Sequence, residues 1–140
     1  MSDHTVGAFS EQRPPPKVLN RTLWMVQVLA AAVLCLAGGT TLAGADMPIA
    51  LFEQIGLGQW FRYCTGGLEV LGAILLLVPK TAAMGAVLLA AIMGGAMATH
   101  LFVIGGSPVP ATVLLLMALA VAWYRWPQRK QACDLLIERR

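Results

Sequence analysis

The chain has 140 residues, 58% of them hydrophobic and 12% charged, with a net charge of +3. Soluble domains carry about 25% charged residues, so this composition, with a mean hydropathy of +0.71, excludes an ordinary soluble domain. It also excludes disorder, which requires low hydrophobicity and high charge. The positive charge is not a nucleic-acid footprint, because the charges gather toward the ends of the chain and leave long stretches of its middle bare. A small integral membrane protein remains.

Residues 1–21 read as a polar tail in which Arg13, Lys17 and Arg21 are basic and Pro14, Pro15 and Pro16 resist helix formation. Thr22 to Ala45, 24 residues, contains no Asp, Glu, Lys or Arg. At about 1.5 Å per residue that run crosses a hydrocarbon core about 30 Å thick. Trp24 stands where an interfacial aromatic belongs, and a first spanning helix is predicted over 22–43. Ala43-Gly44-Ala45 has the form of a signal-peptide cleavage site, but the apolar run exceeds the roughly 7–15 residues of a signal core, so this helix is expected to be retained.

Between Gly44 and Gln59 the residues Asp46, Pro48, Glu53, Gly56 and Gly58 interrupt any spanning pattern, while Ile49, Leu51, Phe52, Ile55 and Leu57 are apolar. This mixture predicts a short amphipathic helix lying at the interface. A second span is predicted over 60–78, opened by Trp60 and Phe61 and closed by Pro79. From Thr81 to Tyr124 there are 44 residues without Asp, Glu, Lys or Arg. One helix of that length would measure about 66 Å, twice the membrane core. Gly105-Gly106-Ser107-Pro108 is the strong breaker inside it, so the third span is set at 81–103 and the fourth at 109–126. Trp123, Tyr124 and Trp126 form an aromatic belt, and a basic tail occupies 127–140. The fold class is all-α: a four-transmembrane-helix bundle over 22–126 between two polar tails.

Orientation follows the basic flanks. Both tails and Lys80, in the turn between the second and third spans, fall on one face. Both termini are therefore expected to be cytoplasmic, in the cell inner membrane, with Arg62 alone toward the opposite side.

Glu69 lies near the middle of the second span, where an ionisable group costs several kcal/mol unless it is paired, protonated or facing water. Arg62, seven residues earlier, shares its helix stripe with Gly66 between them, and small residues there allow a neighbouring helix to approach closely. The pair reads either as a site for a proton, an anion or a cofactor head group, or as an ion pair that holds the bundle together. Asp46 and Glu53 are alternative partners for Arg62. His100, in the last turn of the third span, is brought to the level of Arg62 by antiparallel packing. Arg62, Glu69 and His100 are thus expected to line one polar site toward the non-cytoplasmic half, able to bind a quinone carbonyl or move a proton.

Met93, Met97 and His100 share a helix face, a set that could hold a soft metal or haem. Methionine is also an ordinary core filler, and the only other histidine, His4, is in the tail. No metal site is assigned. Cys35, Cys64 and Cys133 lack a C-x-x-C spacing and read as inert thiols. Gln27 is read as a helix–helix hydrogen bond, Gly94-x-x-x-Ala98 as a weak packing motif. No P-loop, nucleophile elbow, zinc-protease or dinucleotide motif is present.

Phe52-Glu53-Gln54-Ile55-Gly56-Leu57, Trp60, the run Gly66-Gly67-Leu68-Glu69-Val70-Leu71-Gly72 through Pro79, and Ala96-Met97-Ala98-Thr99-His100-Leu101 together resemble the DoxX-like family over roughly residues 22–126. The resemblance implies a small four-helix membrane protein. The family's name traces to a subunit of an archaeal thiosulfate:quinone oxidoreductase, and some bacterial relatives are linked to redox or sulfur stress. It therefore implies a quinone-linked or redox-partner role, with quinone as the candidate cofactor and a membrane or redox protein as the candidate partner, besides the lipid bilayer. Gly38-Gly39-Thr40 stands where the family frequently has a lysine, which counts against an activity needing a cation there. The leading reading is a membrane subunit without independent catalysis. The alternatives are a scaffold that recruits partners through its tails, and a small oligomeric transporter with Glu69 in its path.

Overall fold

A computed structural model describes residues 17–138, with side chains through Pro127. The tail 1–16, with Arg13 and the prolines, and Arg139 and Arg140 lie outside the described residues. The chain forms α1 (Lys17–Ala43), α2 (Asp46–Ile55), α3 (Gln59–Leu77), α4 (Ala82–Thr99), a π-helical turn (His100–Ile104) and α5 (Val109–Glu138), with no strand among the described residues. Four segments are long and apolar enough to cross a membrane: Lys17–Ala43, Gln59–Leu77, Ala82–Ile104 and Val109–Pro127. The protein is an all-α, multi-pass membrane protein built as a four-helix bundle. In the packing, α1 lies on α3, α3 on α4 and α4 on α5, and the ring closes by a lighter contact of α1 with α5.

Two helix crossings are built on missing side chains. A Cβ on Gly38 of α1 would stand 2.8 Å from the Gly66 carbonyl oxygen of α3, and one on Gly66 would stand 3.1 Å from the Gly38 carbonyl oxygen. On the other side of α3, a Cβ on Gly85 of α4 would stand 2.7 Å from the Leu76 nitrogen and 2.9 Å from the Gly72 oxygen. In a bilayer, where apolar surface gains nothing by leaving lipid, such backbone approach is what lets helices associate.

The interfacial helix expected between the first two spans is α2. Gly44, Gly56 and Gly58 take positive φ values of 77°, 79° and 84° at its two ends, the left-handed region that glycine enters without a Cβ clash. Phe52 is its one buried residue and meets Phe61 of α3 edge-on at 5.7 Å. Beyond α3, α2 also touches the π-helical turn.

Three helix boundaries differ from the sequence expectation. The first helix begins at Lys17, inside the expected polar tail, rather than at 22. The third span does not run as α-helix to 103. It changes at His100 into a π turn that closes when the Gly105 N–H donates to the His100 carbonyl five residues back, at 3.1 Å. The fourth span passes the expected boundary at 126 and continues as helix through Pro127 to Glu138. A span ends where polarity rises, but a helix ends only where its backbone is broken. Pro127 removes one hydrogen bond, and the Gln, Arg, Lys, Ala and Leu residues after it are good helix formers.

The apolar core lies at one end. Ala30, Ala31 and Leu34 of α1, Ala73 and Leu76 of α3, Ala86, Leu89 and Met93 of α4 and Ala118 and Val121 of α5 form one buried cluster. These come from the second half of α3, the first two-thirds of α4 and the later membrane-spanning part of α5. Past Met93 no residue of α4 or the π turn is buried, and before Ala118 of α5 only Ala111 is. In α4, the π turn and the membrane-spanning part of α5, full burial is thus concentrated toward the Lys80 end.

Candidate functional site

Arg62 enters the α2 end from the first turn of α3. It is 4% exposed. Its Nε donates to Gln59 Oε1 at 2.7 Å, its Nη1 donates to the Thr41 carbonyl, and its guanidinium carbon stands 4.2 Å from the Tyr63 ring centroid. Thr41 lies in the last turn of α1, whose carbonyls have no partner within the helix and carry the negative end of its dipole. Arg62 is therefore a C-terminal cap for α1 supplied by the next span. The sequence offered Glu69, Asp46 or Glu53 as its partner, and none of the three is bonded to it. Removing it strips a charged hydrogen-bond donor from a buried carbonyl. Arg62→Leu is expected to cost about 2 kcal/mol, read as a lowered midpoint of thermal unfolding in detergent. Arg62→Lys should recover little, since a compact ammonium cannot reproduce the guanidinium fork.

Glu69 lies midway along α3. The helix period sets it between the side that meets α1, where Gly66 and Val70 face Gly38, and the side that meets α4, where Gly72 faces Leu89. Its stripe neighbours Arg62, Gly66, Ala73 and Leu76 are all buried. Glu69 itself is half-buried, with its Cβ 3.1 Å from where a Gly38 Cβ would stand, and no hydrogen bond or ion pair holds its carboxyl group among the described residues.

His100 continues the stripe of Ala82, Ala86, Leu89 and Met93 down α4, with Met97 one turn before it. Met93 is buried, whereas Met97 and His100 are half-buried. His100 Nδ1 is buried and has no hydrogen-bond partner. Gly106 packs close to it, since an added Cβ there would come within 3.1 Å of Nδ1. Buried polar atoms without partners are rare in native structures, and π turns recur at functional sites. Among the described residues no bond links Arg62, Glu69 and His100 to one another. The guanidinium of Arg62 is turned to the end of α1.

A second polar cluster was only half legible in the sequence. The helix–helix hydrogen bond expected of Gln27 is present: its Nε2 donates to the Leu76 carbonyl at 2.7 Å, capping the last turn of α3. Its Oε1 accepts from Arg125 Nε at 3.1 Å and Nη2 at 2.9 Å. The Arg125 guanidinium carbon stands 5.5 Å from the Trp24 ring centroid. Gln27 is 0% and Arg125 7% exposed, so this cluster seals the closed end and joins α1, α3 and α5. In the sequence Arg125 reads as the first charge of a basic flank. The signal that it turns inward is its place on the stripe of Ala111, Ala118 and Val121.

Cys35 and Cys64 are free and exposed on the outside of the bundle. No group of three or more His, Cys, Asp or Glu able to hold a metal ion occurs among the described residues.

These features form a four-span bundle with a short helix, α2, packed against α3 and the π turn. The chain matches the DoxX-like family over residues 25–123 and belongs to it. No curated protein and no solved structure matches the chain.

Proposed function

We propose that the protein is a membrane subunit of the cell inner membrane, both termini cytoplasmic, that holds the head group of a lipid-soluble quinone beside Glu69 and His100 and serves a redox partner without independent catalysis. The observation that carries this reading is that two polar groups of the membrane-spanning segments have no hydrogen-bond partner among the described residues, the half-buried Glu69 carboxyl group and the buried His100 Nδ1. A quinone head group offers carbonyl oxygens, which accept hydrogen bonds from an imidazole N–H or a carboxylic acid, and a ring that suits the apolar surface of Met97, one turn before His100. Arg62 supports the site from outside by fixing the end of α1 on α3. Glu69 at mid-depth is also where a proton would be held beside such a head group.

The reading predicts that protein extracted in mild detergent retains quinone, detected by mass spectrometry of the bound lipids. Glu69→Gln should retain less, and His100→Ala should lose the ligand while unfolding at nearly the same temperature. Wild-type protein that carries phospholipid but never quinone, under conditions where other quinone proteins of the same membrane retain theirs, would contradict it. Flux through liposomes that depends on Glu69 would favour the transporter instead.

A further inference from the structure

We infer that the outer face of α1 is a docking site for one anionic phospholipid, with its phosphate at Lys17 and Arg21 and an acyl chain in the apolar groove formed by Trp24, Met25, Val28, Leu29 and Ala32. The inference does not depend on the quinone reading. It follows from what one stripe of this helix carries between its start and the middle of the membrane.

Lys17 and Arg21 are one turn apart, and Met25, Val28 and Ala32 stand one, two and three turns after Arg21. Helical periodicity therefore sets both cations in line with the groove, on the side away from Gln27 and Leu34, which pack into the bundle. Both cations are exposed. No Asp or Glu occurs in α1, and no ion pair holds either cation among the described residues. The groove is fixed at the end nearest them. There the half-buried ring of Trp24 stands 5.5 Å from the guanidinium carbon of Arg125, which Gln27 holds in place.

Length and charge together select the occupant. Arg21 to Ala32 spans about 16.5 Å at 1.5 Å per residue, about half of a hydrocarbon core about 30 Å thick. The stripe thus fits a lipid of one leaflet, the one on the Lys17 side, which the orientation proposed above makes the cytoplasmic leaflet. An acyl chain suits a groove lined by apolar side chains. Beyond its end a guanidinium binds phosphate oxygens through paired hydrogen bonds and an ammonium adds a point charge, while both stems run along apolar surface to head-group level. A zwitterionic lipid brings its own cation, which the basic pair repels. A second copy docked in parallel by this face would set the two basic pairs against each other. Each basic residue is worth about fivefold in affinity for an anionic lipid, so the pair should give a preference on the order of tenfold or more.

The test is native mass spectrometry of the wild-type protein in detergent with equal concentrations of phosphatidylglycerol and phosphatidylcholine that share the same chains. Phosphatidylglycerol should be retained in preference by on the order of tenfold. Lys17→Gln combined with Arg21→Gln should bring the ratio close to parity, whereas Lys80→Gln, at the same end of the bundle but off the groove, should leave it unchanged. In vesicles, phosphatidylglycerol brominated in its chains should quench tryptophan fluorescence more than brominated phosphatidylcholine at the same mole fraction, and that excess should vanish in Trp24→Phe. Equal retention of the two lipids by the wild type would overturn the inference, and this comparison needs no variant to fold. A double variant that keeps the full preference would also overturn it, by assigning the lipid to other basic residues. Excess quenching that survives in Trp24→Phe, or a lipid-free dimer in which a second copy covers the groove, would do the same.

Discussion

Gln27→Leu is expected to destabilise the bundle by about 2–3 kcal/mol, the cost of leaving a buried carbonyl without its donor and taking two hydrogen bonds from a buried guanidinium. The substitution keeps the volume and removes three hydrogen bonds at once, one to the Leu76 carbonyl and two from Arg125. Leu76 lies in the last turn of α3, so its carbonyl has no intrahelical partner to return to. Arg125 loses two bonds to an acceptor from which lipid cannot replace it. Because both effects pass through one oxygen and one nitrogen of the same amide, the substitutions should not add. Arg125→Leu in the Gln27→Leu background should cost less than it does alone, with a coupling of about 1–3 kcal/mol. Thermal or denaturant unfolding of the four proteins in one detergent gives the cycle. An additive cycle would mean that the two residues act independently.

Gly85→Val should cost about 3 kcal/mol, the second large effect. Even its first carbon would stand 2.7 Å from the Leu76 nitrogen and 2.9 Å from the Leu75 carbonyl carbon. Backbone on both sides cannot yield as a side chain can, so α3 and α4 must separate. Gly72 provides the contrast. A Cβ there is equally close to its neighbour, at 2.6 Å, but that neighbour is the flexible end of Leu89, so Gly72→Ala should cost clearly less. Gly94 and Gly95, with nothing within 4 Å of an added Cβ, should accept alanine and gain up to about 1 kcal/mol of helix propensity. The order of unfolding midpoints, Gly94→Ala above wild type, then Gly72→Ala, then Gly85→Val, checks the crossing geometry.

The spans were legible in the sequence because lipid leaves the backbone few options. Long uncharged runs, Trp24 and Trp60 at their starts, and the Gly105-Gly106 breaker placed four helices, and Asp46 with Phe52 placed the interfacial one. Less legible was whatever depends on backbone acceptors. Arg62 was offered three carboxylates and took the Thr41 carbonyl, since helix ends carry charge that no residue type announces. The π turn at His100 follows from how the chain closes at Gly105, not from a composition signal around His100. Arg125 sits beside three aromatic residues at a boundary, which hides its inward stripe behind the look of a flank. Glu69 was conspicuous from the start, because a carboxyl group at bilayer depth has to be accounted for. The sequence could not reveal that its carboxyl group goes without a hydrogen-bond partner among the described residues, because that depends on how the neighbouring helices pack around α3.

The proposed head-group site is tested most directly by photolabelling. A short-tailed azidoquinone, irradiated on the reconstituted protein and located by peptide mapping, should mark α3 around Glu69 and α4 at Met97 to His100, and excess unlabelled quinone should abolish the label. Label spread over outward-facing residues, or gathered in the apolar groove that Trp24, Met25, Val28, Leu29 and Ala32 form on the outside of α1, would contradict a head-group site on the bundle axis.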